Sequence, residues 1–219
     1  MNFIERIIGL FTSPDKTMAD IAKEPRIEEA AVIVALYAIV SAISAYIAAS
    51  HMKYVFTDPA LEGMASIMTI FTAVIGLIAP FVLWVIITAV LYLFSMVFGG
   101  EGKFLALLTG IGYSQLPKII VTLILAVLLT QAPVITYEIS SSGQTRVVDG
   151  DQAVGLSSPI SIAQQIIGLI GLLWSCLMGV FAVKHVLKLS TKSAALVVGI
   201  PLVIYLVISF GSAFLYGLL

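Results

Sequence analysis

Catalysis in a chain of this kind would need a nucleophile, a general base or a metal-ligating set, and few side chains qualify. His51 and His185 each fall beside the end of a long apolar stretch, and neither lies at ligand spacing from another histidine or cysteine. An amphipathic ring placed at an interface accounts for both. Cys176 is the single cysteine and lies in an apolar run, so there is no disulfide framework or paired-thiol site. Its expected role is that of a small buried hydrophobe. No serine or aspartate is patterned with a histidine for acyl transfer, and no glycine-rich loop leads into a lysine and threonine for phosphates. Glu138, Asp149 and Asp151 are scattered acids, not a calcium loop. The chain therefore reads as a non-enzyme, with no catalytic, cofactor or metal residue.

One concentrated polar feature remains. Residues 110–118 read GIGYSQLPK, between LLT and IIVTLILAVLL. Proline removes a backbone donor and disfavours helix at the residue before it, and the glycines loosen the backbone further. Carbonyls freed near Gly112 and Tyr113 then need donors, which Ser114 and Gln115 could supply. Tyr113 could anchor at an interface, and Lys118 could snorkel to headgroups. The candidate contact stretch for a partner or ligand is Gly112, Tyr113, Ser114, Gln115, Leu116, Pro117 and Lys118; structural packing alone is the competing account.

The elements that must position this stretch are set by composition. The 219 residues are 60% hydrophobic and 11% charged, with mean hydropathy +1.13. Soluble domains carry about 25% charged residues, so this chain cannot cover a water-facing surface. It reads as an integral membrane protein. A hydrocarbon core of about 30 Å needs roughly 20 helical residues, and five stretches suffice: about 30–49, 64–98, 104–130, 162–183 and 194–219. Open strands would leave backbone groups unsatisfied in lipid, so the crossings are helices. The second stretch would reach about 50 Å as helix, so it tilts and kinks at Pro80 or runs partly outside the hydrocarbon. Pro201 marks a further expected bend.

Lysine and arginine set the orientation. Arg6, Lys16, Lys23, Arg26, Lys103, Lys118, Lys184, Lys188 and Lys192 fall on the N-terminal side, against Lys53 and Arg146 on the other. The fold class is thus an all-α polytopic bundle of five transmembrane helices, N-terminus cytoplasmic and C-terminus outside. No basic array suggests nucleic acid as a partner. Ala38, Ala42, Ala45 and Ala49, and Gly171, Ser175 and Gly179, recur at the spacing of close helix packing; such faces permit a homo-oligomer without requiring one.

Residues 1–28 form a cytoplasmic preface, and 29–219 the five-helix domain with an outer loop at about 132–160. The beginning MNFIERIIGLF is too short and charge-broken in its apolar run for a signal peptide. Phe3, Ile4, Ile7, Ile8 and Phe11 share one face of a short helix able to lie in the membrane interface, with Glu5 and Arg6 turned elsewhere. Ser13 and Pro14 start a second helix, which Glu24-Pro25 ends; Glu28 and Glu29 open the third near its dipole. The preface is either a solvated cap anchoring the bundle or a docking surface for a cytosolic partner. In the outer loop ITYEI and TRVV alternate around SSSGQ, as a hairpin would, and a flexible polar loop is the alternative.

Counting depth places the polar stretch. From Pro117 to Gln131 a helix extends about 22 Å, short of a crossing, so GIGYSQLPK sits at the cytoplasmic end of a kinked or broken third helix. The run FGGEGKFLALLTGIGYSQLPKII, a glycine pair before a helix and then Gly-Tyr-Ser and Leu-Pro, resembles the signature of the YIP family, the Ypt/Rab-interacting membrane proteins. The preface FTSPDKTMADIAKEP and the five spans are similar too. The resemblance implies a cytoplasmic N-terminus, an outer C-terminus and a non-enzymatic role; eukaryotic relatives associate with small GTPases in vesicle traffic. The short preface, without the long acidic and proline-rich tail of many eukaryotic members, looks like that of a prokaryotic member.

The expectation is a scaffold or adaptor in a prokaryotic plasma membrane, contacting membrane lipids and a protein partner on the cytoplasmic side. The alternative is a small-molecule or lipid transporter built around the broken third helix.

Overall fold

The computed structural model describes residues 1–61, 63–140, 144–149 and 159–217. Helices dominate. Two short ones come first, α1 (Phe3–Thr12) and α2 (Pro14–Lys23). Asn2 and Glu5 form a reciprocal cap at α1: the Asn2 side chain accepts from the Glu5 N–H at 2.8 Å, and the Glu5 carboxylate accepts from the Asn2 N–H at 2.9 Å. Pro14 occupies the first turn of α2, where its missing donor costs nothing. The preceding Ser13 makes no side-chain cap; its carbonyl instead accepts from the Thr17 hydroxyl.

Five longer spans follow: α3 (Ile27–Ser50), α4 (Met64–Val97), the pair α5 (Phe104–Tyr113) and α6 (Leu116–Leu129), α7 (Pro159–Val186) and α8 (Thr191–Gly217). All five are long and apolar enough to cross a membrane, with α5 and α6 together forming the third. α4 stays one helix through Pro80, and α8 through Pro201. Large apolar side chains face outward along them, Val97 at 83% exposed among the most open, while Thr88, Ser95 and Thr109 are buried. Each of those three hydroxyls donates to a carbonyl three or four residues back in its own helix, so none of the three is stranded by burial; among the described residues the Gln164 amide nitrogen and the Ser175 hydroxyl of α7 are buried without a partner. Greasy surface outside and small, mostly satisfied polar groups inside is the arrangement a lipid solvent selects.

By internal packing the chain divides into two compact units. One comprises residues 1–34, 83–116 and 173–219; the other, residues 35–82 and 117–172. In the second, Gly76 of α4 meets Ala42 and Ala45 of α3: a Cβ at Gly76 would lie 2.8 Å from the Ala45 methyl. Gly171 of α7 meets Val121 of α6 in the same manner. Two of the four alanines expected to mediate packing in the first span therefore do so.

The second unit also holds a small sheet of β1 (Met52–Phe56), β2 (Ile135–Ile139) and β3 (Thr145–Asp149), in that order. β2 and β3 form the antiparallel hairpin that the ITYEI and TRVV alternation suggests. β1 pairs parallel to β2, Tyr54 opposite Tyr137 with rings stacked at 5.8 Å. α3 leads into β1 and α6, after a five-residue turn, into β2, so two crossings in one direction deliver two parallel strands, the intervening helices supplying the long connection that parallel pairing needs. The alternation around residues 52–56 is too short to signal a strand by itself. Gly150 and residues 151–158 of the outer loop lie outside the described residues.

Candidate functional site

The polar stretch breaks the third span where the sequence places it. α5 stops at Tyr113, Ser114 and Gln115 form a turn, and α6 starts at Leu116. The Ser114 N–H donates to the Gly110 carbonyl and the Gln115 N–H to that of Gly112, each at 3.1 Å. The Ser114 hydroxyl and the Gln115 amide both turn back to the Ile111 carbonyl, at 2.7 and 3.4 Å. The side chains expected to supply donors thus supply them locally.

Every residue from Gly112 to Pro117 is buried, and Lys118 is half-buried. Gly112 to Leu116 belong to the first unit and Pro117 and Lys118 to the second. Lys118 lies over the Tyr37 ring, 5.9 Å from its centre. Gly112 is the point of closest approach: a Cβ there would sit 2.7 Å from the Ala30 methyl and 3.2 Å from the Trp84 indole. The Trp84 ring N–H, held in this corner, donates to the Leu108 carbonyl at 2.8 Å.

Tyr113 faces inward, fully buried, where an interfacial anchor was expected. Its ring meets Phe3 of α1 edge-on at 6.5 Å, and its hydroxyl donates to the Glu29 carboxylate. The same carboxylate oxygen accepts from Arg6 at 3.0 Å. Arg6 is 0% exposed and uses its whole fork: one nitrogen to Glu29, one to Asp20 at 3.0 Å, one to the Glu24 carbonyl at 3.1 Å. Arg26 binds the other Glu29 oxygen and Glu24, and the N-terminal ammonium binds Asp20 at 3.3 Å. Three cations thus face three carboxylates around α1, α2 and the start of α3, and α5 adds the Tyr113 hydroxyl.

Charge balance makes the burial tolerable. Desolvation works against the Arg6 guanidinium, yet hydrogen bonds with Tyr113, Asp20 and Glu29 hold it above its ordinary value. Burial also disfavours the Asp20 carboxylate, but Arg6 and the N-terminus overcome this and hold it below its usual range. A planar fork with fixed geometry suits such a hub, where a lysine would not.

A second clamp fixes the start of α2. Lys184 and His185, at the end of α7, approach one oxygen of Asp15 at 2.7 and 2.8 Å, and their hydrogen bonds hold the Asp15 carboxyl below its ordinary value. His51 has a local role, its Nδ1–H donating to the Ile47 carbonyl at 2.9 Å.

Arg6 is the residue that sequence reasoning missed, being placed only off the apolar face of the first helix, with no partner assigned. The signal lay in its neighbours. Gly9 and Leu10 share its side of α1, and a glycine beside a leucine makes a packing face into which a lone arginine must bring partners.

A polytopic helical membrane protein, its N-terminal helices pinned by ion pairs to Glu29 of α3 and to the end of α7, with Tyr113 of the broken third span hydrogen-bonded to that Glu29, is the class this geometry defines. The Yip1 domain matches residues 8–213, and the chain belongs to that family. An uncharacterized protein of Methanocaldococcus jannaschii is 37% identical over 129 residues, covering 57% of this chain and 85% of the relative; it supports a prokaryotic member of the family. No solved structure matches.

Proposed function

We propose that the protein is a scaffold or adaptor in the plasma membrane of a prokaryote, with its N-terminal helices on the cytoplasmic side as the partner-facing platform. The observation that carries this reading is the Arg6–Glu29–Tyr113 cluster. It spends three hydrogen bonds of a buried guanidinium on holding α1 and α2 in one orientation, and a segment that only had to stay in water would need no such seat. The polar stretch is the seat and α2 the displayed element, with Lys16 and Lys23 exposed. Resemblance to trafficking adaptors of the family supports the same reading.

Tyr113 and Met18 are both buried, so the test uses the open face. A photocrosslinker at Lys16 or Lys23 in native membranes should capture a distinct cytosolic or membrane protein. Capture of lipid and of the chain itself alone would count against the adaptor. The transport alternative has less support, because Ser114 and Gln115 spend their polar groups on the Ile111 carbonyl. Reconstituted solute flux that collapses on Gln115→Ala would reverse that preference.

A further inference from the structure

The outward side of α1 is chemically the wrong way round for a helix bathed in water. Ile4, Ile8 and Phe11 are exposed at one helical stripe, Ile4 by 66% and Ile8 by 58%, while Arg6, Gly9 and Leu10 are buried. An interfacial helix covering a water-soluble bundle puts its cation out and its apolar stripe in.

Phe11 shows what lies outside. Its ring meets Trp174 edge-on at 5.7 Å, and Trp174 stands between Leu173 and the outward-facing Leu177 on α7, both about half exposed. The stripe therefore continues the apolar surface of a membrane-spanning helix. Trp174 also lies about 18 Å along α7 from its end at Val186, whereas a headgroup layer is only about 5–8 Å thick on each side of the hydrocarbon. Even allowing for tilt, the end of α1 reaches acyl-chain depth. A protein partner docking on this stripe would leave three large apolar side chains in water whenever it was absent, a cost that contact with acyl chains removes.

We propose that the Ile4–Ile8–Phe11 stripe is a lipid-contact surface: α1 is sunk beside α7 with its apolar edge among acyl chains and its arginine turned inward onto Asp20 and Glu29. This goes beyond the adaptor reading and stands without it, since lipid contact through α1 and partner capture through α2 are separate measurements.

Two measurements on the full-length chain in phosphatidylcholine–phosphatidylglycerol vesicles test the proposal. In a Cys176→Ser background, a nitrobenzoxadiazole label on Ile8→Cys should emit blue-shifted, be quenched by acyl-chain nitroxide lipid, and resist aqueous iodide several-fold better than the same label on Lys16→Cys. Equal iodide quenching at both positions would overturn the proposal. So would shielding of the Ile8 label from both quenchers that vanishes on dilution into excess lipid, because a second copy would then be the occupant. The unsubstituted chain supplies the other arm: a phospholipid with an acyl-chain diazirine should mark Ile4, Ile8 or Phe11 together with Leu173 or Leu177. Marking of the α7 leucines without any of the α1 residues would also overturn it.

Discussion

The buried Arg6 guanidinium ties α1 to Asp20, the Glu24 carbonyl and Glu29 through three hydrogen bonds. Removing one partner from a buried, hydrogen-bonded ion pair costs about 3–5 kcal/mol, because the remaining charges lose their compensation. Asp20 retains some exposure, so Arg6→Ala should fall near the low end, about 3 kcal/mol, read as a lowered thermal midpoint in mild detergent. Arg6→Lys should recover only part of this, since a single ammonium cannot reach Glu29, Asp20 and the Glu24 carbonyl together. Tyr113→Phe keeps the ring against Phe3 and deletes one donor to a carboxylate, an expected loss of about 1.5–3 kcal/mol. A Tyr113→Phe change without effect would show that Glu29 is held by its arginines alone. The Asp15 clamp makes a pH prediction. Its folded-state pKa is depressed, so its contribution is fully present above the unfolded value of about 4 and is lost as pH falls through and below that value. The stability gap between the natural chain and Asp15→Asn should close on acidification below about pH 4. A gap that persisted undiminished well below that pH would contradict the clamp.

At the scale of elements, helix contacts here depend on missing side chains. Gly112→Ala would press a methyl onto Ala30 and the Trp84 ring, and overpacking of that kind costs about 1–3 kcal/mol. Gly168→Ala, on α7 with nothing within 4 Å of the added atom, should be neutral or mildly stabilising. Thermal midpoints of the two variants, measured side by side, separate packing from helix propensity; equal effects would refute the close approach of α5 to α3 and α4. The same elements show what was legible in advance. Span count and limits could be read because the lipid solvent demands about 20 apolar residues and admits almost no charge, and α3 to α8 begin and end within a few residues of the apolar runs. The break at Ser114-Gln115 was legible because Pro117 and two glycines act locally. The orientation of α1 was not, because a helical stripe states only which residues share a face. Which face turns inward depends on Glu29 and Tyr113, far away in sequence. β1 was hidden for the same reason: its partner is delivered by α6, some eighty residues on.

For the molecule as a whole, the two packing units constrain the path of the chain independently. In the first, the Asp15 contact with Lys184 and His185 places the preface beside the end of α7. In the second, the β1–β2 pairing brings the connection after α3 to the one after α6. Both are what five crossings require, and the lysine and arginine asymmetry carries the proposal that the preface side is cytoplasmic. Single cysteines at Lys16, Arg146 and Lys188, each in a Cys176→Ser background and treated with a membrane-impermeant maleimide in oriented vesicles, test this most directly. The expected result is that positions 16 and 188 react from one face of the membrane, and position 146 only from the opposite face. Labelling of positions 16 and 146 from the same face would contradict the account.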